Sequence, residues 1–147
     1  MYDKNRNVVM GILDLFKTND KSKQEKFGHL KVLLALALAD GQVGDAEANV
    51  IAVICQREGI SDSDVKRCIN NPDAVKSRLP KDHETKVKYL KDMILLMICD
   101  GDINKDELVL CKAMAQTLGL SKETIDELFL DFIKEAKDKL KYYNHLF

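Results

Sequence analysis

The chain repeats itself. Shifted by sixty positions, Leu30 to Val65 (LKVLLALALADGQVGDAEANVIAVICQREGISDSDV) lies over Leu90 to Ile125 (LKDMILLMICDGDINKDELVLCKAMAQTLGLSKETI) without a gap. Leu30, Lys31, Leu36, Asp40, Gly41, Glu47, Gln56, Gly59 and Ser61 recur as Leu90, Lys91, Leu96, Asp100, Gly101, Glu107, Gln116, Gly119 and Ser121. Most remaining core positions are conservative, Val43 with Ile103 and Ile60 with Leu120 among them. An unbroken register of this kind reads as duplication of one supersecondary unit, which buries its apolar face against its copy.

Each copy reads helix, tight turn, helix, tight turn, helix. The first helix is apolar on nearly every side towards its end (Val32 to Ala39, Met93 to Cys99), which makes it central and buried. Asp-Gly stops it, since Gly tolerates a left-handed exit. The second helix starts near Gly44 or Asn104, and Asn104 with Glu107 has capping-box spacing. Val50, Ile51 and Ile54, and Leu110, Ala113 and Met114, give it an apolar face. Gly59 and Gly119 end it, and Ser61 and Ser121 are ready caps for a third helix. An amphipathic helix precedes the repeat (Val8, Val9, Ile12, Leu13, Phe16) and an extended one closes the chain (Ile125, Leu128, Phe129, Phe132, Ile133, Ala136, Leu140). Tyr142, Tyr143 and Phe147 read as core cover or as a contact for another chain. Both prolines fall between the copies, where a short helical turn is expected at Asp73 to Leu79. Only 7 Gly and 2 Pro in 147 residues argue against an all-β sandwich. The expectation is all-α: a single domain over 1–147 with seven to eight helices and pseudo-two-fold symmetry. It divides into repeat one at about 27–70, a linker at about 71–82, repeat two at about 83–132, and a helical extension to 147.

Composition narrows the function. Lys plus Arg (23) balances Asp plus Glu (24), without the basic excess of a nucleic-acid binder. The longest apolar run, Val32 to Ala39, is far short of the roughly 20 residues that cross a bilayer. The first residues do not read as a signal peptide, so a cytoplasmic location is expected. Cys55, Cys68, Cys99 and Cys111 form no CxxC pair and read as reduced core thiols rather than zinc ligands. His29, His83 and His145 are isolated and read as surface or helix-face residues. Neither a phosphate-cradling glycine loop nor a nucleophile elbow is present. A non-enzymatic module is expected, with an unidentified protein partner and with a homodimer left open.

The acids are segregated. Asp40 to Asp64 holds six (Asp40, Asp45, Glu47, Glu58, Asp62, Asp64) against Arg57, and Asp100 to Glu107 holds four against Lys105. A carboxylate at a helix C-terminus faces the negative end of the macrodipole, at a cost of up to about 1 kcal/mol. Two compensations are open. The side chain can turn across the corner and cap the next helix. Alternatively, Asp40, Glu47, Asp100, Asp102, Asn104 and Glu107 converge on a hard cation, calcium or magnesium. The spacing in the second copy is like the start of an EF-hand loop, but Lys105 stands where that loop needs Gly and Cys111 where it needs its bidentate Glu. The first copy has Gln42 and Gly44 in place of Asp102 and Asn104.

A duplicated unit with a buried helix, then ADGQVGDAE in one copy and CDGDINKDE in the other, resembles the TerB-like family. That family includes tellurite-resistance proteins and the N-terminal region of DjlA co-chaperones. The resemblance covers about Phe27 to Phe132. It implies an all-helical domain with a clustered acidic face proposed to bind metal, a motif that falls on Asp40 and Glu47 and on Asp100 and Glu107. An HPD tripeptide is missing, Asn71-Pro72-Asp73 being the nearest string, so a whole DjlA-type co-chaperone is not implied.

Overall fold

The structure, a computed structural model, describes residues 22–39, 41, 43–101 and 105–146. Every regular element among them is helical: α1 (22–37), α2 (Asp45–Glu58), α3 (Asp62–Asn70), a 3-10 turn (Pro72–Ala74), α4 (His83–Ile98), α5 (Lys105–Thr117) and α6 (Lys122–Leu146). The fold is all-α. None of these helices is long and apolar enough to cross a membrane.

α4 is the axis of the core. Its last ten residues bury Tyr89, Leu90 and everything from Asp92 to Ile98, and it touches α2, α5 and α6. A helix this apolar around its circumference has no face to give to water, so it must be enclosed. α1 adds Phe27, Leu30, Leu33, Leu36 and Ala37, and α6 adds Ile125, Phe129, Phe132 and Ala136. The Asp-Gly corners behave as the sequence predicts. Gly41 (φ 104°) and Gly101 (φ 89°) leave α1 and α4 through positive φ, where an L side chain would cost about 1–2 kcal/mol. Their N–H groups donate back to Leu38 and Ile98 at 2.9 Å. Gly59 ends α2 in the same left-handed way. Ser61 and Ser121 cap α3 and α6, their hydroxyls accepting from the N–H groups of Asp64 and Thr124.

Two expectations are corrected. The buried stripe of α5 is Cys111 and Ala115, while Ala113 is exposed and Leu110 and Met114 only flank the core. The helix is apolar over a wide arc, so periodicity alone did not fix which side turns inward. The linker's helical turn is confined to Pro72–Ala74 and does not run to Leu79. Beyond Ser77 the chain is held to α1 instead, the Arg78 N–H donating to the Gln24 carbonyl at 3.2 Å. Here a glycine is required by contact. A Cβ on Gly28 would sit 2.8 Å from the Arg78 carbonyl oxygen. The N-terminal helix expected around Val8 to Phe16 lies outside the described residues, as do the side chains of Leu140, Tyr142, Tyr143 and Phe147.

Candidate functional site

Three of the six candidate ligands are described. Glu47 stands in the first turn of α2, Glu107 in the first turn of α5, and Asp100 at the exit of α4. Asp40, Asp102 and Asn104 lie outside the described residues. The Glu47 carboxylate accepts the Gly44 N–H at 3.2 Å, satisfying a donor that opens α2. The residue that caps α4 is Cys99. Burial pushes its thiol up to about 12, and the fields of Glu47, Asp100 and Glu107 push the same way. Carboxylates from α2, from the α4 exit and from α5 therefore act on one sulfur. Among the described residues no group of three or more His, Cys, Asp or Glu is arranged to hold a metal ion.

The thiols themselves are inert. Burial raises Cys55 to about 11 and Cys111 to about 12, so neither carries the thiolate that a nucleophile or metal ligand needs. All four cysteines are free, as expected of core thiols.

A second polar constellation went unread in the sequence. Asp92 of α4 is 4% exposed and receives two helices. Its Oδ2 lies 2.8 Å from His29 Nε2 of α1, and Arg57 Nη1 of α2 donates to its Oδ1 at 2.9 Å, with Nη2 on Oδ2. A carboxylate only accepts, so the Nε2 of His29 carries the proton. The fork of Arg57 also reaches Glu58 at 3.0 Å, and Lys88 closes the chain on Glu58 at 2.7 Å. His29 is in turn stacked on Tyr89, with centroids 3.8 Å apart and planes 7° from parallel. Of the two expectations for His29, the structure gives the helix-face one: the residue stands on the buried face of α1 and not at the surface.

The electrostatics close on themselves. Burial pushes the Asp92 and Glu58 carboxyls up, yet hydrogen bonds and charge from His29 and Arg57, and from Lys88 and Arg57, outweigh it and leave both below the ordinary carboxylate range. The Asp92 hydrogen bond raises Arg57 further. A histidine held by an aspartate is also the arrangement of a general base, but this one has nowhere to work. The void beside His29 and Tyr89 measures about 10 Å³, room for at most one water. Among the described residues no buried side-chain nitrogen or oxygen lacks a partner. The constellation ties α1, α2 and α4 together and offers no site to a substrate.

Compared with family models, with curated proteins and with solved structures, the chain finds no match in any of the three.

Proposed function

We propose that the chain is a non-enzymatic TerB-like binding module, an internal duplication whose two Asp-Gly corners share one acidic pole that takes a divalent cation, calcium or magnesium. What supports the pole is that the charges of Glu47 and Glu107, seven residues beyond their respective corners, both add to the effect of burial in raising the Cys99 thiol. Hard cations take such oxygen donors, and their charge removes the repulsion that clustered carboxylates otherwise suffer.

Contacts that recur sixty residues apart support the duplication. Ser61 caps Asp64 as Ser121 caps Thr124, and Lys31 reaches Val75 as Lys91 reaches Glu135. His29 and Tyr89, at equivalent positions, stack on each other as two residues beside a two-fold axis would. The symmetric bundle expected of a TerB-like protein rests on these pairs.

Thermal unfolding of the metal-stripped protein tests the cation. Calcium or magnesium should raise the melting temperature, and Glu47→Gln and Glu107→Gln should each abolish the rise. A melting temperature that neither ion moves overturns the reading.

The Gly44 hydrogen bond favours a second reading, in which the carboxylates are caps and the acidic pole docks a basic protein partner. Glu47→Ala then lowers stability with or without metal, and capture of a basic partner weakens as salt screens the pole.

A further inference from the structure

An apolar groove of about 620 Å³ opens between α1, α2 and α3. Leu34, Ile51, Val65 and Ile69 wall it, with Val43 before α2 and Ile60 after it. Val43 is 36% exposed and Ile69 53%, so large aliphatic side chains stand in water although the chain buries a full core around α4. We infer that the groove docks an amphipathic helix of a partner protein, whose apolar stripe fills it and whose basic residues meet acids at its two ends.

The walls decide between a helix and a strand. The backbone around the groove is already bonded within α1, α2 and α3. A partner strand would find no edge to pair with and would bring unsatisfied N–H and C=O groups against aliphatic carbon. A helix satisfies its backbone internally. Ala48 and Ala52, one turn apart on α2, also line the groove and are exposed. Side chains this short let a second helix axis approach to about 8–10 Å. α2 has 14 residues, a length of about 21 Å, so the seat takes about four turns with apolar residues at i, i+3 or i+4, and i+7.

The charges decide the sign. Asp62 lines the groove where α3 begins, and Asp45 stands at the other end of α2, one turn before Ala48 on the same face. Both are exposed, and neither is in an ion pair among the described residues. The neighbouring arginines are engaged, Arg57 on Asp92 and Arg67 3.6 Å from Asp64, which leaves Lys66 as the remaining base of α3. An acidic helix would set its carboxylates against both ends; a basic one complements them. The inference needs no cation at the Asp-Gly corners, and it differs from docking on the acidic pole because apolar side chains carry it.

The probe is a fluorescein-labelled peptide of leucine and lysine, about four turns long as a helix, with its leucines on one stripe. Titrated with the full-length protein in chelator, its anisotropy should rise to saturation. A peptide of the same composition with the leucines scattered should bind about tenfold more weakly or worse, and so should a striped peptide with glutamate in place of lysine. Ile69→Asp should weaken the striped lysine peptide by about tenfold or more. Ala52→Gln, a neutral change to a bulkier helix former, gives the same direction should Ile69→Asp disturb α3. Asp45→Lys with Asp62→Lys should turn the preference towards the glutamate peptide, and a preference for lysine that persists there overturns the basic partner. Equal binding of the scattered peptide overturns the inference, since charge alone then suffices. So does striped binding that survives both groove substitutions, and so does a protein that takes no peptide. A protein that sediments as a dimer, and as a monomer with Ile69→Asp, also overturns it, because the occupant is then a second copy.

Discussion

The two sides of α4 are packed by different physics. On the side of α1 and α2 the centre of the interface is ionic, with Asp92 gripped by His29 and Arg57. On the side of α5 and α6 it is apolar, made by Cys111, Ala115, Leu118, Ile125, Phe129 and Phe132. The residues sixty positions away make the contrast sharper. Sixty positions before Asp92 stands Val32, and sixty positions after Arg57 and Glu58 stand Thr117 and Leu118. The Asp-Gly pairs and the capping serines recur at that spacing, while the ionic cluster stands at positions where the residues differ. Apolar packing contributes stability in proportion to area. A buried ion pair contributes less than that, but it penalises every arrangement that leaves a charge unpaired.

The largest expected effect follows from that penalty. Asp92→Ala leaves a buried imidazole without its acceptor and a half-buried guanidinium with Glu58 alone, and should cost about 3–5 kcal/mol in urea unfolding. Replacing the His29–Asp92 pair with apolar residues, as in His29→Phe with Asp92→Leu, should cost less than Asp92→Ala alone, because nothing is then stranded. Equal losses would mean that the ionic side works through packing alone.

Acid should separate the two sides next. Asp92 and Glu58 titrate below the ordinary carboxylate range. Their contribution is therefore present above pH 4–5 and is lost as pH falls through their depressed values. As pH falls below the ordinary carboxylate range the wild-type protein should lose stability more steeply than Asp92→Asn. Parallel curves would assign the acid sensitivity to other carboxylates.

The strap over α1 is the next contact to break. Gly28→Ala pushes a Cβ against the Arg78 carbonyl, 2.8 Å away. The backbone must give, at a cost of about 1–3 kcal/mol, and His29 moves with it. A thermal melt unchanged by Gly28→Ala would show that residues 77–80 do not fix α1.

What the sequence told and withheld follows from distance along the chain. Corners, caps and the buried α4 were readable because each is decided within a few residues: Gly after Asp, Ser three before an N–H, an apolar run without a polar side. The ionic cluster was not, since its bonds join residues 63 and 35 positions apart. One signal existed. Asp92 interrupts the apolar stretch from Tyr89 to Ile98, and a carboxylate there demands a cation; periodicity does not say which one. Of the candidate acidic site, the placement of Glu47 and Glu107 in the first turns of α2 and α5 was legible, because local helix-start signals set it. The inward side of α5 was not, because Leu110 and Met114 are as apolar as the residues that won.

Glu47 should give a smaller response than any of these. Its carboxylate holds the exposed Gly44 N–H at 3.2 Å, and losing such a cap costs typically about 1 kcal/mol. Glu47→Gln keeps an acceptor and should recover most of the loss in metal-free buffer.

The smallest effect should come from an ion pair of the same chemistry as the Asp92 cluster in the opposite environment. Lys112 of α5 and Asp126 of α6 approach to 3.4 Å, with side chains 40% and 48% exposed. Water screens both charges whether or not they meet, and holding two long side chains in register opposes the gain, so such pairs contribute about 0–1 kcal/mol. Lys112 also lies over the Phe129 ring, 5.2 Å from its centroid, a contact that survives loss of the acid. Asp126→Asn should therefore shift the urea midpoint by less than any variant above, and raising salt should erase the shift. A loss comparable to that of Asp92→Ala would mean that burial does not set the worth of an ion pair in this fold, and the contrast between the two sides of α4 would fail with it.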